Sequence, residues 1–159
     1  MPTLHIRVRA KNNVSEAKQG TCLVFNAQLP AQHLNVGRLI LSSTNIQTVY
    51  NDGDIPANSG YFVQMPWLIS GTIGGNLSMP PDSVYVCEGL FSRITNNNND
   101  IYYYQSNNES PALEYGVNHN TIPPNFQVLV YPSDFNENAA SLLLDRVQSI
   151  EINLYFSYL

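Results

Sequence analysis

The sequence predicts a mostly β chain: one antiparallel β-sandwich, a jelly roll or Greek key, spanning residues 1–159, with at most one short helix. Three observations predict it. Apolar side chains recur at every second position near both ends of the chain. Asn, Asp, Gly and Pro clusters punctuate the sequence at short intervals. Only one stretch, 138–147, has a helix-compatible pattern of any length.

The first element is the clearest. Leu4, Ile6, Val8 and Ala10 face one way, and His5, Arg7, Arg9 and Lys11 the other, as in a strand with one dry face and one wet, basic face. A polar loop follows to Gly20, with a short helical turn around Ser15–Lys18, and Thr21–Asn26 is the next strand. Beyond Pro30, Val36–Leu41 and Ile46–Tyr50 read as separate strands, the second entering an Asn51-Asp52-Gly53-Asp54 turn. Tyr61–Met65 and Trp67–Ser70 are strands interrupted at Pro66, which removes an amide donor.

Glycines and prolines from Gly71 to Pro81 mark a turn-rich passage. Val84–Ile94 is predicted as one strand, with Gly89 as a bulge. Asn96–Asn99 is an exposed turn, Ile101–Gln105 a strand, and Ser106–Ser110 the start of an irregular polar region. Phe126–Tyr131 is strongly β-prone and stops at Pro132. The last strand alternates Ile150, Ile152, Leu154 and Phe156 with Glu151, Asn153, Tyr155 and Ser157. Termini fray unless a sheet holds them, so the first and last strands are expected to pair.

Polarity here comes from amides rather than charges. The chain has 20 Asn and 8 Gln, against 12% charged residues and a net charge of -5. Arg7, Arg9, Lys11 and Lys18 precede residue 19, leaving 3 basic against 11 acidic side chains after them, a net of -8. That field opposes broad binding to a polyanion and limits nucleic-acid contact to the N-terminal edge. The start lacks the apolar stretch of a signal peptide, and no window reaches the roughly 20 apolar residues of a membrane span. The chain is expected to be soluble and made without cleavage. Cys22 and Cys87 form no metal knuckle and are expected to be buried free thiols.

No cofactor and no catalytic residue is predicted. Gly71–Gly75 lacks the Gly-Lys-Ser/Thr ending of a phosphate loop. His5, His33 and His119 lack metal-ligand spacing, and His119 reads as a loop residue. Asp52 and Asp54 are the weak candidates for a metal, Ca²⁺, although the EF-hand periodicity is absent. Glu88 and Glu114 are the least routine acids for a hydrolase assembled from scattered carboxylates.

The aromatic residues offer the stronger candidate surface. Trp67, Tyr102, Tyr103, Tyr104 and Tyr115, with Tyr61 and Tyr85 beside them, supply large amphipathic rings for binding a protein or sugar; their competing role is sandwich core. Arg7, Arg9 and Lys11 form the basic N-terminal face. Uncharged polar surface can be buried between subunits without desolvating ions. In composition and strand count the whole chain resembles viral jelly-roll structural proteins, including capsid, spike and fibre-head domains. That resemblance implies a non-enzymatic virion subunit that self-associates, with other virion proteins and a glycan receptor as further partners. A carbohydrate- or protein-binding recognition module is the first alternative, and a hydrolase the second.

Overall fold

The computed structural model describes residues 2–29, 34–51, 60–69, 83–87, 90–96, 99–133 and 143–158, with backbone alone at 87, 90–96 and 99–112. In chain order the elements are β1 (Thr3–Lys11), α1 (Val14–Ala17), β2 (Lys18–Gln19), β3 (Cys22–Gln28), β4 (Leu34–Asn35), β5 (Arg38–Tyr50), β6 (Gly60–Gln64) and β7 (Leu68–Ile69). There follow β8 (Ser83–Cys87), β9 (Leu90–Asn96), β10 (Asn99–Val117), a 3₁₀ turn (Asn118–Asn120), β11 (Thr121–Ile122), β12 (Asn125–Pro132) and β13 (Val147–Ser157).

The strands make two large antiparallel sheets. One runs β1–β13–β5–β10–β7, with β9 also paired to β10; the other runs β2–β3–β12–β6–β8. A two-stranded ladder of β4 and β11 stands apart. Four pairings nest inside one another along the chain: β1 with β13, β3 with β12, β5 with β10, and β6 with β8. Successive nested pairs alternate between the sheets. The chain is thus folded back on itself as one long hairpin whose halves switch sheets together.

The expected pairing of the ends is present. Thr3 opposes Ser157 and the register holds unbroken to Lys11 opposite Ser149. Leu4, Ile6, Val8 and Ala10 are all buried, as are Ile150, Ile152, Leu154 and Phe156. Each fully buried Leu, Ile, Val or Phe contributes about 1.5–3 kcal/mol relative to exposure, so the alternation fixes the register. From the second sheet Leu23, Val128, Val130, Tyr61, Val63, Val84 and Val86 join the same apolar cluster.

Several boundaries differ from the sequence expectation. Val36–Leu41 and Ile46–Tyr50 are not two strands: β5 runs unbroken from Arg38 to Tyr50. Tyr155 pairs with Ser43 and Phe156 with Leu41, so Ser42 is an extra residue, and its hydroxyl donates to the Tyr155 carbonyl at 2.9 Å. That bulge moves the buried positions from odd (Leu39, Leu41) to even (Thr44, Ile46, Thr48, Tyr50). Ser106–Ser110 is not irregular but lies inside β10, where Ser106–Glu109 pair with Ile46–Ser43 of β5.

Val84–Ile94 divides into β8, paired with β6, and β9, paired with β10, and so changes sheet between Cys87 and Leu90. Asn96 and Asn99 are cross-strand partners, which closes the predicted turn. Of the predicted helix, residues 143–146 are helical and Val147 already belongs to β13, while 138–142 lie outside the described residues. With α1 the described residues therefore hold two short α-helical turns rather than one.

Candidate interaction surfaces

Four adjoining strands of the second sheet carry no charge; its edge strand β2 holds Lys18. β3, β12, β6 and β8 contain no Asp, Glu, Lys or Arg. Every second side chain in them turns into the core, and the alternate ones turn out. Register sets those outward residues in rows: Val24, Leu129 and Gln64 in one, and Tyr131, Phe62 and Tyr85 in the next. Tyr85 is 45% exposed and its ring lies 5.2 Å from that of Phe62. Gly60 makes room for it, since a Cβ there would stand 2.7 Å from the Tyr85 hydroxyl and 2.8 Å from the Val86 carbonyl.

Cys22 extends the aromatic row. Its thiol is free, half-buried, and hydrogen-bonded with the Tyr131 side chain. Burial pushes the thiol up from its ordinary value, and burial likewise pushes up the Tyr131 phenol. Cys22 is thus neither disulfide-bonded nor fully buried; the side chain of Cys87 lies outside the described set.

The outward face of the first sheet is of opposite character. His5 stacks on Tyr155 with ring centroids 4.5 Å apart, and its Nε2 lies 2.7 Å from Asn153 Oδ1. Asn153 Nδ2 in turn donates to Asn45 Oδ1 at 3.4 Å. In the backbone register Asn107 of β10 opposes Asn45. Beside it Arg7 donates to Glu151 at 2.6 Å from both Nε and Nη2. Arg38 pairs with Glu114 at 3.2 Å, while Lys18, on edge strand β2 of the second sheet, pairs with Asp145 of the helical turn at 2.5 Å. Such exposed pairs each contribute about 0–1 kcal/mol, so they order the surface more than they stabilise it.

No family model, curated protein or solved structure matches this chain.

The aromatic candidates divide. Trp67 is only 3% exposed and packs edge-on against Phe126 at 5.4 Å, while Tyr115, 8% exposed, meets Phe156 edge-on at 6.1 Å. Both are core residues and correct the expectation of a binding platform there: β10 turns Tyr115, and the turn between β6 and β7 turns Trp67, toward the apolar cluster. Tyr61 is buried too; Tyr85 alone of that group is exposed among the described side chains. For Tyr102, Tyr103 and Tyr104 the backbone sets them in β10, opposite Tyr50, Val49 and Thr48.

Asp52, Asp54, His33 and Glu88 lie outside the described residues. His119 sits exposed in the 3₁₀ turn with φ 55°. Glu114 is held by Arg38 at the surface. Among the described residues no three His, Cys, Asp or Glu side chains converge, and no helix is long and apolar enough to cross a membrane. Of the basic face, Arg7 is engaged by Glu151, whereas Arg9 and Lys11 have no carboxylate partner among the described residues. The uncharged rows around Phe62 and Leu129 escaped sequence reading, because only strand pairing brings them together.

Proposed function

We propose that this chain is a non-enzymatic structural subunit that assembles with copies of itself, a virion subunit such as a capsid or spike protein, through the uncharged face of β3, β12, β6 and β8. The observation that carries the reading is the absence of charge from four adjoining strands of one sheet. Interface cores are depleted in charged residues and enriched in Tyr and Phe, as the rows Tyr131–Phe62–Tyr85 and Val24–Leu129–Gln64 are. A second copy of the same face suits it as occupant, since two uncharged faces meet without desolvating an ion or opposing like charges. The nested pairings support a jelly roll, an architecture used by viral capsid proteins and also by lectins. On this reading other virion proteins are the natural further partners, and the virion or host cytoplasm the location.

Light scattering after size-exclusion chromatography tests it. A closed oligomer that persists on dilution is expected. Tyr85→Lys should weaken association by at least about tenfold, or about 1.4 kcal/mol, because a lysine would have to be desolvated without a partner. Its melting temperature should hardly move, the side chain being 45% exposed. A monomer at every concentration would sink the proposal.

A further inference from the structure

On the first sheet, away from the proposed assembly face, lies a groove of about 280 Å³ between β1, β13 and β5. Arg9 and Lys11 stand on its β1 side, Ser149 and Glu151 line it from β13, and Gln47 and Val49 from β5. We infer that this groove binds a saccharide carrying a single carboxylate, with Arg9 and Lys11 as the groups that hold the acid.

The charges point to an anion. Arg9 and Lys11 are exposed, sit two positions apart on one face of β1, and so stand about 7 Å apart along the strand. Neither has a carboxylate partner among the described residues, although Glu151 is the register partner of Arg9. The Glu151 carboxylate is turned to Arg7 at 2.6 Å, which neutralises it and leaves the two other cations unspent. Arg offers a planar two-pronged donor matched to a carboxylate, and Lys a mobile point charge beside it.

The remaining lining selects the rest of the ligand. Gln47 brings an amide that both donates and accepts, and Ser149 a hydroxyl that does the same, which suits neighbouring sugar hydroxyls. Val49 supplies an apolar surface for the C–H face of a ring. The volume is at the small end of ligand pockets, roughly 300–1,000 Å³, and fits one sugar unit rather than a polymer. A nucleic acid is disfavoured by the net charge of -5 and by a groove with room for one sugar unit. An acidic peptide would satisfy the cations but bring no ring face to Val49, and the peptide arm of the test separates the two.

The test uses the full chain and sialyllactose, titrated by nuclear magnetic resonance or calorimetry, with lactose, inorganic sulfate and an oligoglutamate peptide in parallel. Sialyllactose should bind with Kd of about 1 mM, and lactose at least about tenfold more weakly. The double variant Arg9→Gln/Lys11→Gln should abolish binding while its melting curve stays in place, both side chains being exposed. Gln47→Leu should weaken the saccharide and spare sulfate. Four results overturn the inference: equal binding of lactose, unchanged affinity in the double variant, sulfate binding as tightly as the saccharide, or the peptide binding more tightly. None of these depends on the oligomeric state, so the groove and the assembly face stand or fall separately.

Discussion

The phenol oxygens of Tyr50 and Tyr61 meet at 2.7 Å inside the protein, and neither ring has any exposed surface. Tyr50 ends β5 in one sheet and Tyr61 lies in β6 of the other, so this hydrogen bond ties the two layers where the chain passes between them. A buried polar pair of this kind stabilises only while both members are present.

Phenylalanine at either position should cost about 0.5–1.5 kcal/mol, because it removes the buried hydrogen bond between the layers. The double variant Tyr50→Phe/Tyr61→Phe should cost less than the sum of the singles, since both polar groups leave together. Urea unfolding of the four proteins measures the coupling; strict additivity would show that the two hydroxyls do not act as a pair.

Trp67 is the only tryptophan in the chain and is almost wholly buried. Its Nε1 is buried with no hydrogen-bond partner among the described residues. Its fluorescence should therefore be blue-shifted and resistant to iodide until the protein unfolds. Trp67→Phe should cost clearly less than the about 3–5 kcal/mol expected of Trp67→Ala, because phenylalanine keeps contact with Phe126 and removes an unsatisfied donor. Ready quenching in the native state would contradict the buried position.

Alkaline pH should loosen the molecule. Burial raises the Cys22 thiol above 9.0, with the Tyr131 hydrogen bond partly offsetting it. Burial raises Tyr131 above 10.0, helped by the neighbouring Cys22 charge and hydrogen bond, and burial alone raises Tyr115. All three are acids whose neutral form the fold favours, so on raising pH the unfolded chain loses these protons first. Their contribution is complete below the ordinary values of 9.0 and 10.0 and is lost as pH climbs through the raised ones. Melting temperatures should be insensitive to these groups at neutral pH and fall beyond about pH 9–10. The combined variant Cys22→Ser/Tyr131→Phe should flatten that fall; an unchanged slope would remove these groups as its cause.

How much of this was legible in the sequence depended on whether period two survived. It survives in β1 and β13, where Leu4 to Ala10 and Ile150 to Phe156 alternate without a bulge, and both strands and their pairing follow from it. In β5 the extra residue Ser42 shifts the buried positions from odd to even, so one strand reads as two. In β10 the stretch Ser106–Glu109 has no apolar side chain to signal it; the backbone ladder to β5 holds it instead.

The surfaces were less legible than the strands. Aromatic identity does not say which face a ring occupies, and so Trp67 and Tyr115 looked like binding residues until their burial placed them in the core. The lack of charge in β3, β6, β8 and β12 is visible in each segment, but these segments are far apart along the chain. Only the antiparallel order makes them one uncharged face.

Nesting also governs when the protein can be finished. The outermost pair joins Thr3 to Ser157, so β1 has no partner until β13 has left the ribosome. Contacts this distant in sequence make folding slow, and an unpaired strand edge invites pairing with other chains. Arg7, Arg9 and Lys11 on that waiting strand repel the same strand of a neighbour during synthesis, well before any of them meets Glu151 or a ligand.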